Sequence, residues 1–257
     1  MMFGLFGKRR KRGGATAAPP PRVDADTRVY AIGDIHGRLD LLAKLFGKIS
    51  ADRAANPAAR HELIFLGDYV DRGNQSRELL DLLSQGSIDG FETTYLRGNH
   101  EDYLLRFLDD TADAATWLYY GGANTLISYG IPASPLESDP DRLIALQQKL
   151  RQALPESHLA FLRRLEITHT VGDYFFVHAG IRPGVPLAEQ TEDDFLWIRE
   201  PFLESTKDHG CVVVHGHSVR MRPEMLANRI GIDTGAYDTG VLTSLVLQGE
   251  GQWLLQT

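Results

Sequence analysis

The stretch Gly67-Asp68-Tyr69-Val70-Asp71-Arg72-Gly73 limits what this chain can fold into more than any other. It follows Leu63-Ile64-Phe65-Leu66, an apolar run that reads as a buried strand. Two carboxylates, a guanidinium and two glycines therefore crowd together where a strand ends. Open α/β sheets gather ligands at the carboxyl ends of their strands. A carboxylate there can hold a cation, and an arginine a few residues on can clamp an oxyanion.

The construction recurs. Val29-Tyr30-Ala31-Ile32 delivers Gly33-Asp34-Ile35-His36-Gly37, and Phe91 to Leu96, which reads as a third strand, delivers Gly98-Asn99-His100-Glu101. Tyr174-Phe175-Phe176-Val177 leads into His178-Ala179-Gly180, and Cys211-Val212-Val213-Val214 into His215-Gly216-His217. Chance seldom repeats a glycine-flanked Asp, Asn or His at five strand ends, so a metal centre is the leading expectation.

Between the first three motifs, apolar positions at helical spacing predict helices: Leu39 to Ile49, Leu79 to Leu83 and Tyr103 to Leu108. Residues 111–165 change style, with glycine-broken apolar groups and then two helices separated at Pro155. They carry no catalytic constellation and read as an inserted helical cap, which either shapes substrate access or serves as cover. From about Glu166 strands dominate: 166–170, 173–178, 211–215, 229–232, 242–247 and 252–255. Strand–helix units followed by a strand-rich half predict an α/β fold of two packed sheets with helices outside.

At 257 residues, 43% hydrophobic and 24% charged, the chain is sized and composed for one large globular domain, placed at residues 23–257. Residues 1–22 differ. They hold six Lys/Arg and no Asp/Glu, which leaves 21 basic against 34 acidic residues in the body. The favoured reading is a disordered, solvated basic tail. A sharper one joins Met1-Met2-Phe3-Gly4-Leu5-Phe6 to Lys8–Arg12 as a peripheral anchor, through residues 1–12, for an anionic membrane surface. An acidic body argues against general nucleic-acid binding. The lone Cys211 can form no internal disulfide, in keeping with a cytoplasmic setting, and reads as a small buried hydrophobe.

The candidate metal ligands are Asp34, His36, Asp68, Asn99, His178 and His217. Carboxylate, imidazole and amide oxygen together suit Mn²⁺ best, with Fe or Zn also fitting. Six ligands are too many for one catalytic ion with open positions but suit two divalent ions sharing a bridging carboxylate, for which Asp68 is the choice. Such a pair clamps an in-line displacement at phosphorus, and it activates bound water as the attacking hydroxide. The balance of four positive charges against Asp34 and Asp68 leaves room for that hydroxide and a phosphate. Arg72, Arg199 and Asn99 are the substrate-binding candidates, with Arg182 a weaker one. His100 is the candidate general acid, oriented by Asp71; a purely structural Asp71–His100 hydrogen bond is the blander alternative. Glu101 reads as a first-turn helix carboxylate and is given no role. His215, two residues before His217 on an extended chain, would point the same way and either supports or replaces it. His61, His158, His169 and His209 read as ordinary surface residues.

The motif set from Gly33-Asp34-Ile35-His36-Gly37 to Gly216-His217 resembles the phosphoprotein phosphatase branch of the calcineurin-like metallophosphoesterases, of the bacterial serine/threonine phosphatase type, across residues 28–247. The resemblance implies a four-layer α/β/β/α sandwich with a dinuclear site. Asp34, His36 and Asp68 would hold one ion, and Asp68, Asn99, His178 and His217 the other. It also implies Arg72 as phosphate clamp and Asp71–His100 as orienter and acid. Ile232-Asp233-Thr234-Gly235-Ala236-Tyr237 stands where eukaryotic members carry Ser-Ala-Pro-Asn-Tyr-Cys, so eukaryote-style regulatory-subunit recognition does not carry over. Three functions follow in order: removal of phosphate from phosphoserine, phosphothreonine or at the margin phosphotyrosine; hydrolysis of dinucleoside polyphosphates; and non-catalytic metal binding. The intact ligand set with His100 and Arg72 counts against the last.

Overall fold

The computed structural model describes residues 19–257. The basic block Lys8–Arg12, and with it the expected membrane contact, lies outside the described residues. The chain is tied to the body from Pro21 and Arg22: the Arg22 N–H donates to Asp173 Oδ2 at 2.9 Å, and its carbonyl accepts the Asp173 N–H.

In chain order the elements are β1 (Thr27–Ile32), α1 (Leu39–Ala55), β2 (Arg60–Phe65), α2 (Ser76–Leu83), β3 (Glu92–Tyr95) and α3 (Asn99–Asp109). Then come α4 (Ala114–Trp117), a π-type turn (Leu118–Gly122), α5 (Ala123–Ser128), α6 (Pro140–Ala153) and α7 (Glu156–Arg163). The second half holds β4 (Thr168–Val171), β5 (Tyr174–Val177), α8 (Glu192–Trp197), β6 (Val212–His215) and β7 (Glu224–Met225). It ends with β8 (Arg229–Gly231), α9 (Ala236–Thr239), β9 (Thr243–Gln248) and β10 (Gly251–Gln256). One sheet has the order β10-β9-β1-β2-β3, the other β4-β5-β6-β8-β7.

Period-two alternation sorts the strand residues into layers. Tyr30, Ile32, Leu63 and Phe65 face a core shared with α1, α2, α3 and the insert helices. Their neighbours Val29, Ala31, Ile64 and Leu66 face Tyr174, Phe176, Val212 and Val214 between the two sheets. Phe175, Val177 and Val213 turn to a third core with Ile181, Phe202 and residues of α8. Three apolar interfaces separate four layers, the expected α/β/β/α sandwich. Each such side chain, fully buried, contributes about 1.5–3 kcal/mol.

The parallel register positions the motifs. Ile32 pairs with Phe65 and Phe65 with Tyr95, so the loops after β1, β2 and β3 start level with one another. In the other sheet Phe176 pairs with Val214 and Val214 with Ile230, which aligns the loops after β5, β6 and β8.

Two residues depart from the sequence reading. His158 is buried rather than on the surface: one ring nitrogen lies 2.7 Å from the Tyr129 hydroxyl and the other 3.0 Å from Asp81 Oδ1. Cys211, half-buried just before β6, packs at the edge of the third core. Far from the motifs, Arg28 on β1 is 2% exposed and clamped by both Asp52 oxygens at 2.7–2.9 Å, with Tyr30 completing the group. Removing one partner of a buried pair strands the other charge. Asp52→Ala is therefore expected to lower unfolding free energy by about 3–5 kcal/mol, measured by urea denaturation; a change inside experimental error would mean that the bonds Arg28 also donates to the Tyr30 hydroxyl and Gln248 Oε1 suffice for it.

Candidate active site

The loop after β2 is zipped to the loop after β1. Asp68 carbonyl accepts the N–H groups of Ile35 (3.1 Å) and His36 (2.8 Å), and Gly37 N–H donates to Tyr69 carbonyl at 2.7 Å. The two sheets meet at Asp34, whose Oδ2 accepts the His217 N–H at 3.0 Å. Gly98 lets the loop after β3 come close, because a Cβ there would lie 2.1 Å from Asp68 Oδ1.

Backbone strain is concentrated here. His36 (φ 47°), Asp68 (52°), Asp71 (72°), Arg72 (65°) and His217 (60°) are, among the described residues, all of the non-glycine residues with positive φ. Each such residue costs on the order of 1–3 kcal/mol and persists only where its surroundings over-determine it. Glu101 supplies much of that determination. Its buried carboxyl accepts the N–H groups of Asp68 (2.9 Å), Tyr69 (2.8 Å), Val70 (3.2 Å) and Gly98 (2.9 Å), and burial together with the Asp68 charge pushes its pKa up to about 7. The first-turn helix role assigned to it from sequence understates its place.

The two oxygens of Asp68 face different imidazoles. Oδ2 is 3.4 Å from His36 Nε2, and Oδ1 is 3.4 Å from His178 Nε2. Asn99 Oδ1 lies 2.8 Å from both His178 Nε2 and His217 Nδ1. His36 and His178 each donate Nδ1–H to a backbone carbonyl, of Val70 (2.8 Å) and Leu66 (2.9 Å), which turns the Nε2 lone pair inward. Two tight ligand groups result, His36–Asp68–His100 and Asp68–His178–His217, and Asp68 belongs to both. Asp34 stands outside these groups, yet its Oδ1, like His217 Nε2 and Asp233 Oδ2, is buried without any hydrogen-bond partner. Such orphaned acceptors are what a bound cation satisfies, so the residues present fit divalent metal ions.

Charge sorts ligand from acid. Burial holds His36, His178 and His217 below the usual histidine range, in the neutral form that ligates metal. Burial would do the same to His100, but Asp68 and the hydrogen bond to Asp71 outweigh it and raise its pKa. Burial would raise the pKa of Asp68, but the facing His178, His100, His36 and His217 pull it low. Asp34 is raised well above the carboxylate range by burial and by the charges of Asp233 and Asp68. His100 Nδ1 is 2.7 Å from Asp71 Oδ2. Arg72 lies across the pair of rings, with guanidinium nitrogens 2.9 Å from His36 Nε2 and 3.1 Å from His100 Nε2 and its Cζ 4.6 Å from the Tyr237 ring centroid.

The remaining candidates separate cleanly. Arg199 reaches the site edge, donating to His217 carbonyl and Ser218 Oγ at 3.4 Å, whereas Arg182 is occupied by Asp194. His215 does not point with His217: the chain turns at Gly216 and His217, and His215 lies against Phe202 while His217 lies against His178. Asp233, unassigned in the sequence, follows β8 and adds a buried carboxyl with pKa raised to about 6, burial being the main cause. Its signal was a sixth strand ending in a glycine-flanked Asp. The 111–165 segment is not devoid of polar site contacts either, since Trp117 and Thr125 both bind Asp71.

Two cation-ligand groups sharing one carboxylate, beside a forked cation and a His–Asp pair, define a metal-dependent phosphoesterase. Residues 27–220 match the Calcineurin-like phosphoesterase family, and the chain belongs to it. Family membership agrees with the motif resemblance. Among similar proteins, bis(5'-nucleosyl)-tetraphosphatase PrpE (asymmetrical) of Bacillus cereus is 26% identical over 234 residues, covering 83% of this chain and 88% of its own. A putative diadenosine tetraphosphatase superposes with TM-score 0.61 at 20% identity, over 93% of this chain and 98% of that one. A cold-active protein-tyrosine phosphatase of a psychrophilic Shewanella species gives 0.54 at 17%, over 91% and 83%. Among the described residues no helix is long and apolar enough to cross a membrane.

Proposed function

We propose that the chain removes phosphate from phosphorylated protein side chains, phosphoserine and phosphothreonine first and phosphotyrosine within range. In this reading Asp34, His36 and Asp68 hold one divalent ion, and Asp68, Asn99, His178 and His217 hold a second, with Mn²⁺ the best match to the donors. What supports phosphoester hydrolysis, in this reading and the second alike, is the 2.7 Å Asp71–His100 contact beside a carboxylate whose two oxygens address separate imidazoles. Bound divalent ions supply positive charge toward phosphate oxygens and bring the pKa of water toward neutrality. Arg72 offers forked donors to the phosphate, steadied by the Tyr237 ring, and Arg199 approaches from the β6 side. Asn99 stands between ligand and substrate contact. His100 gives its Nε2 proton to the departing oxygen while Asp71 accepts Nδ1–H and fixes the ring.

Hydrolysis of a dinucleoside polyphosphate is the second reading, favoured by the name carried by the relatives that align over 83% of this chain. Purified protein with Mn²⁺ is to be assayed against phosphopeptides, an aryl phosphomonoester and diadenosine tetraphosphate. Higher kcat/KM on phosphopeptides is expected; rapid turnover of diadenosine tetraphosphate with inert phosphopeptides would replace the first reading by the second.

A further inference from the structure

Asp71 is held mostly by residues far from it in the chain. It is fully buried, and three donors converge on its carboxyl group. His100 Nδ1 reaches Oδ2 at 2.7 Å, Trp117 Nε1 reaches the same oxygen at 2.9 Å, and Thr125 Oγ1 donates to Oδ1 at 2.6 Å. Thr125 Oγ1 also accepts the Asp71 N–H at 2.9 Å, so one hydroxyl grips both ends of the residue. The next residue is held too, for Arg72 N–H donates to Gly121 carbonyl at 3.3 Å. That carbonyl is aimed by Gly121 at φ 120°, a conformation side-chain-bearing residues avoid. Trp117, Gly121 and Thr125 come from α4, the π-type turn and α5, a single run of the helical insert.

We propose that Trp117 and Thr125 are positioning residues for the acid step: the insert clamps Asp71 so that His100 Nε2 stays aimed at the leaving oxygen. The inference rests on the Asp71–His100 reading above. A carboxylate fixed at both oxygens cannot rotate, and its ring partner inherits that order. Without Thr125 Oγ1, Oδ1 is left without a donor and the Asp71 N–H keeps only Ser76 Oγ at 3.1 Å, so the carboxylate, held by Trp117 at Oδ2 alone, fixes the ring less firmly. Partners that orient a functional histidine in this way are worth about 10–100-fold in activity.

The readout is leaving-group dependence. Proton donation matters most for a poor leaving group such as an alkyl alcohol and least for an activated phenol that departs as an anion. Thr125→Val, Thr125→Ser and Trp117→Phe are compared with wild type and His100→Asn, all loaded with Mn²⁺, on an alkyl phosphomonoester and a series of aryl phosphomonoesters. Mn²⁺ stoichiometry by calorimetry reports whether the metal site is intact. The expected result is a loss in kcat of about 10–100-fold for Thr125→Val and Trp117→Phe on the alkyl ester, shrinking toward none on the most activated aryl ester. KM and metal stoichiometry stay the same, and Thr125→Ser retains wild-type rates. Wild-type rates in both Thr125→Val and Trp117→Phe, or a loss equal across all leaving groups, would overturn the positioning role while His100→Asn still shows the dependence. If His100→Asn itself shows none, the acid assignment fails and the positioning inference falls with it.

Discussion

Asp68→Asn is expected to leave a folded protein that turns over phosphoesters roughly 10³-fold more slowly or worse. A metal's charge stabilisation is worth several kcal/mol, and each 1.4 kcal/mol or so is tenfold in rate. Asparagine matches the shape but not the charge. Asp68 Oδ1 accepts the His100 N–H at 3.1 Å, so the amide oxygen would take that place and the NH₂ would face His36. A donor would then stand where the arrangement requires an acceptor. The shared ligand is lost from one side, so bound Mn²⁺ should fall from two ions per chain to one or fewer, measured by calorimetry and elemental analysis. Two tightly bound ions with wild-type turnover would remove Asp68 from the centre of the site.

The architecture was legible because its signals are local. Apolar runs of four residues mark β1, β2, β5 and β6, and the buried positions of α1, namely Leu41, Leu42, Leu45 and Ile49, repeat at helical spacing. The candidate site was legible for a related reason: strand ends in parallel register must come level, so Asp34, Asp68 and Asn99 could be grouped before their distances were known. What stayed hidden depends on contacts between distant segments. Trp117 and Thr125 lie 46 and 54 residues beyond Asp71 and look like ordinary helix residues. Glu101 has the composition of a helix first turn; only the folded loop shows four N–H groups pointing at it. The His215 misreading had one cause, the assumption of extended backbone where His217 turns left-handed. The helical residue His158 showed no outward sign of burial, because its partners come from other segments, Tyr129 just after α5 and Asp81 on α2.

His100→Asn is expected to lower kcat by roughly 10²–10⁴-fold on esters with poor leaving groups, the usual worth of a general acid. The amide keeps a polar side chain at the site but carries no transferable proton. Direction matters as well as size. Asp68 and Asp71 together raise the pKa of His100 against the effect of burial, which favours the protonated, donating form. Deprotonation removes the acid, so wild-type kcat should decline as pH rises through the lifted His100 value, and that alkaline limb should be absent from His100→Asn. Because Asp71 accepts from Trp117 and Thr125 as well as His100, Asp71→Asn should not simply repeat the histidine variant. An amide there would turn a donor toward at least one of the three existing donors, and such clashes also disturb the backbone that carries Arg72. The double variant separates the two effects. If Asp71 acts only through His100, the second substitution costs little once the first is made. A wild-type pH profile in His100→Asn, at saturating Mn²⁺ and on an alkyl ester, would assign the proton to another donor and leave the Asp71–His100 contact as architecture.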